Sequence, residues 1–218
     1  RYFSTADKTT TDKHYLYGVK DMEDSVYPVE QSKLLDVSSV KMYTDGTISP
    51  SVASITGPAL STFSALENEI DTGALGWRMY LEPIVGLDTD PSTRSTTRSA
   101  LLGGVLLSSV FQPSSDPCAG EGQSRLFGLY YKTGTAHPSK WILGTTAEQV
   151  GSEVKAVSNK SVDLGQGMAT SPSLHSGSGS GSGEVKVLTQ LSTGETPIID
   201  IQTLNKVRSG RTSWQECN

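Results

Sequence analysis

The residues of this chain that could do chemistry are three histidines (His14, His137 and His175), two cysteines (Cys118 and Cys217) and the acidic pair Asp88 and Asp90. Metal binding or acid–base work needs imidazole, thiolate and carboxylate groups converging on one point. No histidine has a cysteine or acid beside it at ligand spacing, and each falls in a loop or at a strand end. They read as exposed or capping side chains. Asp88-Thr89-Asp90 begins like an oxygen-ligand loop, but Pro91 follows, and the later ligands and the closing acid are missing. Asp88 and Asp90 are therefore weak metal candidates, better read as solvated turn acids. No G-x-S-x-G elbow, H-E-x-x-H pair or phosphate-cradling glycine loop occurs. The expectation is a protein with no catalytic residue and no cofactor of its own, so not an enzyme.

The cysteines leave two readings open. In an exported protein an even pair implies a disulfide, whereas in a reducing compartment two isolated thiols mean little. Joined, Cys118 and Cys217 would close a loop of about a hundred residues, worth roughly 4–5 kcal/mol in the simple loop-entropy treatment. Free thiols, or pairing with another chain, are the alternatives.

The elements that must position these groups are short strands. The 218 residues are 19% charged and 35% hydrophobic, with 22 glycines, a composition of strands joined by many turns and a poor fit to a helical bundle. The length fits a single all-β domain over residues 1–218. A formal net charge of -5 argues against a nucleic-acid or anionic-membrane surface, which needs clustered Lys and Arg. No apolar run is long enough to span a bilayer, and no signal peptide is present.

Alternation predicts strands at 15–20, at 37–55 around the turn Thr44-Asp45-Gly46, and at 76–81. In the last of these Trp77, Met79 and Leu81 share one face and Arg78 and Tyr80 the other. Apolar residues at 60, 63, 66 and 70 predict one short helix, which Gly73 can end. From Thr97 to Gly134 three strands follow in succession, the first two joined at Gly103-Gly104, with a polar loop bearing Cys118 before the third. Weaker strands are expected at 140–143 and 153–157, and further ones at 185–191, 197–201 and 212–215. The tract 176–183, SGSGSGSG, predicts a flexible loop. Trp77, Trp141 and Trp214 are expected in the core, while Tyr130 and Tyr131 point to opposite faces.

The unit from Thr97 to Gly134 has a looser, shifted copy in residues 169–201: both have three strands and a Thr-Gly turn, Thr133-Gly134 after the last strand of the first unit and Thr193-Gly194 before the last strand of the second. Small antiparallel sheets that repeat point to a β-propeller more than to a sandwich, because radial neighbours bury faces that one sheet cannot.

Several stretches then resemble, in order, the C-terminal domain of the PilY/PilC-type type IV pilus tip adhesins. They are Arg1-Tyr2-Phe3, Tyr15-Leu16-Tyr17-Gly18-Val19-Lys20-Asp21, Leu75-Gly76-Trp77-Arg78-Met79-Tyr80-Leu81, Gly103-Gly104-Val105, Pro113-Ser114-Ser115-Asp116-Pro117-Cys118, Leu126-Phe127-Gly128-Leu129 and Ser192-Thr193-Gly194-Glu195. The resemblance implies a modified β-propeller, exported and carried extracellularly at a pilus tip, serving pilus biogenesis, surface attachment and twitching motility. Its partners would be minor pilins or other tip proteins and a host or abiotic surface. Members of that family carry a calcium loop that this sequence does not reproduce. The expectation is accordingly a partial propeller, its later blades, completed by upstream sequence or by another chain. A scaffold subunit is the alternative, and a quinoprotein-like propeller enzyme a more distant one.

Overall fold

The computed structural model describes residues 5–21, 28–87, 89–116, 122–139, 142–176 and 184–205. The first half carries β1 (Tyr15–Val19), β2 (Leu35–Asp36), β3 (Lys41–Tyr43), β4 (Thr47–Val52), β5 (Leu60–Thr62), the helix α1 (Phe63–Thr72), β6 (Gly76–Tyr80), β7 (Arg94–Ser95), β8 (Ala100–Leu102) and β9 (Val105–Pro113). There follow β10 (Gly122–Tyr130), β11 (Thr145–Val150), β12 (Glu153–Ser158), β13 (Ser161–Gln166), β14 (Ser173–Ser176), β15 (Glu184–Leu188) and β16 (Ile198–Gln202). The described residues are all-β apart from α1 and two short 3-10 turns, Thr5–Lys8 and Gln31–Lys33.

These strands form four small sheets, ordered β1-β6-β2, β13-β10-β9-β7 with β8 also on β9, β11-β12-β3-β4-β5, and β14-β15-β16. No sheet closes on itself among the described residues. Pairing is antiparallel with one departure from expectation: β2 runs parallel to β6, Leu35 opposite Trp77. A two-residue strand reached through the long 20–34 connection can add to β6 in either sense. Leu35, almost wholly buried, anchors it in the core.

The repeated unit is present as two antiparallel meanders, β8-β9-β10 and β14-β15-β16. Gly103 and Gly104 turn between β8 and β9 with φ +55° and +86°, a conformation that side chains bearing a Cβ resist. β9 and β10 pair over nine residues each, longer than alternation suggested, because Ser108, Ser109, Gln112 and Ser124 lie buried in the middle of the ladder. Hydrogen bonds offset part of that burial: the Ser124 hydroxyl donates to the Gly167 carbonyl at 2.6 Å and accepts from the Ala169 amide at 3.1 Å.

The sheet of β9 and β10 buries both faces. Val105, Leu107 and Leu126 pack with Ile142, Leu164, Val185, Val187 and Ile201 on one side. On the other, Val110, Phe127 and Leu129 join Leu35, Met42, Leu66, Ile70, Trp77 and Met79. The final meander thus covers one face of the central sheet, and α1 with the first strands covers the other.

Other expectations are corrected in detail. The helix begins at Phe63 rather than Leu60: Leu60–Thr62 are extended and pair with β4, and the Thr62 hydroxyl caps α1 by accepting from the Ala65 amide at 3.2 Å. Ile142 and Leu143 lie in a turn, not a strand. β11 and β13, too polar to alternate visibly, were not expected. Ser176, the first residue of the expected Gly/Ser loop, ends β14; residues 177–183 and the strand expected at 212–215 lie outside the described residues.

Trp77 ties the first sheet to the central one. A Cβ on Gly18 of β1 would lie 2.3 Å from its indole, and one on Gly134, in the turn after β10, also 2.3 Å from it. The indole N–H donates to the Tyr131 carbonyl at 2.9 Å. Two separate segments, β1 and the turn after β10, therefore close around one side chain that is 2% exposed.

Candidate functional site

With Trp77 and Met79 turned into the core, the register of β1 on β6 decides what the opposite face carries. Tyr15 lies across from Tyr80, and Tyr17 across from Arg78. The Tyr15 ring is 5.6 Å from that of Tyr80 and 6.0 Å from that of Tyr17. Cations complete the row: the Lys13 ammonium is 5.1 Å from the Tyr80 ring centre, and the Arg78 guanidinium 5.5 Å from that of Tyr15. Tyr17 and Val19 remain 46% and 49% exposed.

A polar network fixes this face. Arg78 Nε donates to Asp36 Oδ2 at 3.0 Å and Nη1 to Gln31 Oε1 at 3.0 Å, while Gln31 Nε2 donates to the Tyr17 hydroxyl at 3.3 Å. Asp36 Oδ1 accepts from the Ser38 amide, and the Ser38 hydroxyl accepts from the Tyr80 amide at 2.8 Å. Partial burial raises the Asp36 pKa, but the bonds from Ser38 and the charge of Arg78 outweigh it and hold the carboxyl below its ordinary value. Beside the row runs a groove of about 510 Å³ whose wall includes Gln31, Lys33, Asp36, Ser54 and Arg78. Its far wall is set by Glu69 of α1, whose buried carboxylate accepts from the amides of Ile55 and Thr56 and the hydroxyl of Thr56 at 2.9–3.1 Å. Tyrosine and arginine on a rigid sheet are the chemistry of contact surfaces, since their large flat groups bury area with few rotamers to freeze.

A second cleft, of about 260 Å³, opens beside the residues read as weak metal candidates, lined in part by Val85, Asp90, Gln112, Ser114 and Gln166. Asp88 lies outside the described residues. Asp90 closes a turn: its Oδ2 accepts from the Leu87 amide at 2.7 Å, and its own amide donates to the Leu87 carbonyl at 2.9 Å. Gln112 straps this loop to β9, accepting from the amides of Ile84 and Val85 and donating to the Val85 carbonyl at 3.0 Å. Val85 and Leu87 stand 60% and 71% exposed at its tip. The neighbouring Pro113–Asp116 stretch meets the chain's beginning, where Lys8 donates to the Asp116 carbonyl and Asp7 forms an ion pair with Arg94.

The remaining candidates are not brought together. Cys118, Cys217, Trp141 and Trp214 lie outside the described residues. His14 precedes β1, and His137 packs edge-on against Phe63 at 4.9 Å and Tyr130 at 5.4 Å. His175 is on β14, opposite Lys186, and not in a loop. Tyr130 is partly buried and Tyr131 is 44% exposed, but they do not take the opposite faces expected: β10 ends at Tyr130, and Tyr131, in the turn that follows, meets its ring edge-on at 5.5 Å. Among the described residues no group of three or more His, Cys, Asp or Glu could hold a metal ion, and no helix is long and apolar enough to cross a membrane. Sequence reading missed the tyrosine row. Its signal was there in two halves, Tyr15/Tyr17 and Arg78/Tyr80 at period two, but the pairing that joins them spans about sixty residues of chain. Compared with known proteins, the chain matches no family model, no curated protein and no solved structure.

Proposed function

We propose that this chain is a non-enzymatic adhesion and assembly module of a type IV pilus tip, exported to the cell surface, and that its sheets are later blades of a modified β-propeller. The observation that carries the reading is the exposed row Tyr15, Tyr17 and Tyr80 with Arg78, held on a rigid sheet by the network through Asp36 and Gln31. Such a row supplies contact area without reacting groups. Two further features support it: the central sheet is covered on both faces, as a blade between neighbours would be, and Trp77 joins two of the stretches that carry the family resemblance, its own and that of Gly18.

The test has two arms. Tyr17→Ser, exposed and making a single long side-chain hydrogen bond, should lower retention of the purified protein on abiotic or host-cell surfaces severalfold while leaving its melting temperature within about 1 °C, as expected for a surface change of under ~0.5 kcal/mol. In the producing bacterium, deleting the gene should abolish surface piliation and twitching. Normal piliation in the deletion strain sinks the pilus role; unchanged retention of the variant sinks the tyrosine row as the contact surface. A scaffold role, in which open sheet edges pair with another chain, is favoured by β1: it bonds to β6 on one side and pairs with no other described strand.

A further inference from the structure

The strand β1 is an edge, paired with β6 on one side and with no other described strand. Two bonds at its ends fix which of its backbone groups face outward. The Leu81 amide donates to the His14 carbonyl and the Lys20 amide to the Leu75 carbonyl, both at 2.9 Å. With the register unbroken between them, Leu16 and Gly18 bond toward β6, and the amides and carbonyls of Tyr15, Tyr17 and Val19 point away from the sheet. Tyr17 and Val19 are exposed as well. Sheet edges are ordinarily blunted by a proline, a bulge or a charge within the strand, and YLYGV contains none of these.

This edge is complementary to itself. Two copies of β1 laid antiparallel about a two-fold axis at Tyr17 place Tyr15 opposite Val19, Tyr17 opposite Tyr17 and Val19 opposite Tyr15 of the second copy, so each outward amide and carbonyl meets a partner. These side chains share one face, where aromatic and β-branched cross-strand pairs stabilise a ladder. The same register sets exposed Lys13, just ahead of β1, opposite exposed Asp21, just after it, once on each side of the axis. The Lys13 ammonium already lies over the Tyr80 ring, on the tyrosine face. Sliding one copy to the next bonded register sets Lys13 against Val19 or Asp21 against Tyr15, and the charge pairs are lost. Backbone and charges thus favour one alignment.

We propose that β1 pairs with β1 of a second copy of this chain, joining the two sheets into one antiparallel sheet across a two-fold axis. This choice of partner rests on the scaffold role of β1 and is independent of the pilus role. The tyrosine row then continues through the axis into the row of the second copy, which enlarges the face available for contact.

Sedimentation equilibrium of the full chain, from low to high micromolar protein, reads the association directly. A five-residue edge makes a small interface, so the dimer should form with a Kd on the order of tens of micromolar. Val19→Lys should abolish it by placing a charge inside the pairing edge, with the melting temperature within about 1 °C of the wild type. Lys13→Glu should weaken the dimer severalfold, since both symmetric pairs become repulsive, and Lys13→Glu combined with Asp21→Lys in one chain should restore it. A wild type that stays monomeric throughout overturns the proposal and leaves the edge to a different protein. A dimer that Val19→Lys leaves intact also overturns it, as does one indifferent to Lys13→Glu or not restored by the double exchange. Surface retention of the wild type, measured alongside, keeps the two roles apart: retention by a monomer removes the second copy and leaves adhesion standing, and a dimer without retention does the reverse.

Discussion

Replacing Gly18 by alanine tests whether Trp77 is the clamp between the first sheet and the central one. The new methyl would lie 2.3 Å from Cε2 and Nε1 of the indole, about 1 Å inside ordinary contact. The ring is closely hemmed in, because a Cβ placed on Gly134 would also lie 2.3 Å from it and the Tyr131 carbonyl holds Nε1. Overpacking of this kind costs about 1–3 kcal/mol. Displacing the indole N–H from its acceptor adds about 0.5–1.5 kcal/mol. The lower entropy of the unfolded alanine chain returns about 0.4–1 kcal/mol, leaving a net loss near 2–3 kcal/mol. With a urea slope of about 2 kcal/mol/M, the midpoint should fall by about 1 M. The decisive version is a cycle with Trp77→Phe. The smaller ring relieves the clash, so Gly18→Ala should cost at least ~1 kcal/mol less in that background. A midpoint within about 0.2 M of the wild type, or strictly additive costs, would refute the clamp.

Glu69→Gln should destabilise by about 1–3 kcal/mol at neutral pH, because one carbonyl oxygen cannot replace a carboxylate accepting from Ile55 and Thr56 in a buried site. Burial raises the Glu69 pKa, but the bonds from Ser54, Thr56 and the two amides win and lower it; the stabilisation is therefore complete above the unfolded value of about 4.5 and lost as pH falls through the lower folded value, so the gap between wild type and variant should close in acid, and a pH-independent gap would count against it. Gln112→Ala should free the loop at Ile84 and Val85, read as faster hydrogen exchange at those two amides with little change at Leu107 or Leu126; unchanged exchange at Val85 would show that the strap is not what holds it.

How far the sequence was legible follows from the range of the interactions. The Asp45-Gly46 turn was readable because its parts are adjacent. Asp45 accepts from the hydroxyl and the amide of Thr47, bonds that, with Lys155, bring its pKa down to about 2. The Gly103-Gly104 hairpin and the inward face of Trp77 and Met79 were readable for the same reason, period and turn chemistry being local. The start of α1 was misread because Leu60 fits the helical spacing, while its pairing with Val52 is settled elsewhere. β11 and β13 were missed because TTAEQV and SVDLGQ have little apolar alternation, and their strand character comes from the neighbours they pair with. The tyrosine row and the bond from Lys160 to Ser38 depend on contacts across tens of residues. No window of sequence contains them.

The tyrosine row and the Lys160 side chain meet at one short turn. Ser38 uses its amide and hydroxyl to hold Asp36, and through Asp36 the guanidinium of Arg78; the same hydroxyl accepts from the Tyr80 amide. Its carbonyl, pointing elsewhere, accepts from Lys160. The sequence VSSV gives no sign of this, yet it places two donors and two acceptors where β2 hands the chain to β3. Replacing Lys160 by glutamine would take the ammonium away from the Ser38 carbonyl. The turn that carbonyl belongs to is also the one that orients the tyrosine row. The coupling energy between them is bounded by the strength of a single charge-assisted hydrogen bond, about 1.5–3 kcal/mol. That is a small share of what holds β6 in place through Trp77, so losing the bond would adjust the row's polar rim while the aromatic platform stays where the core puts it.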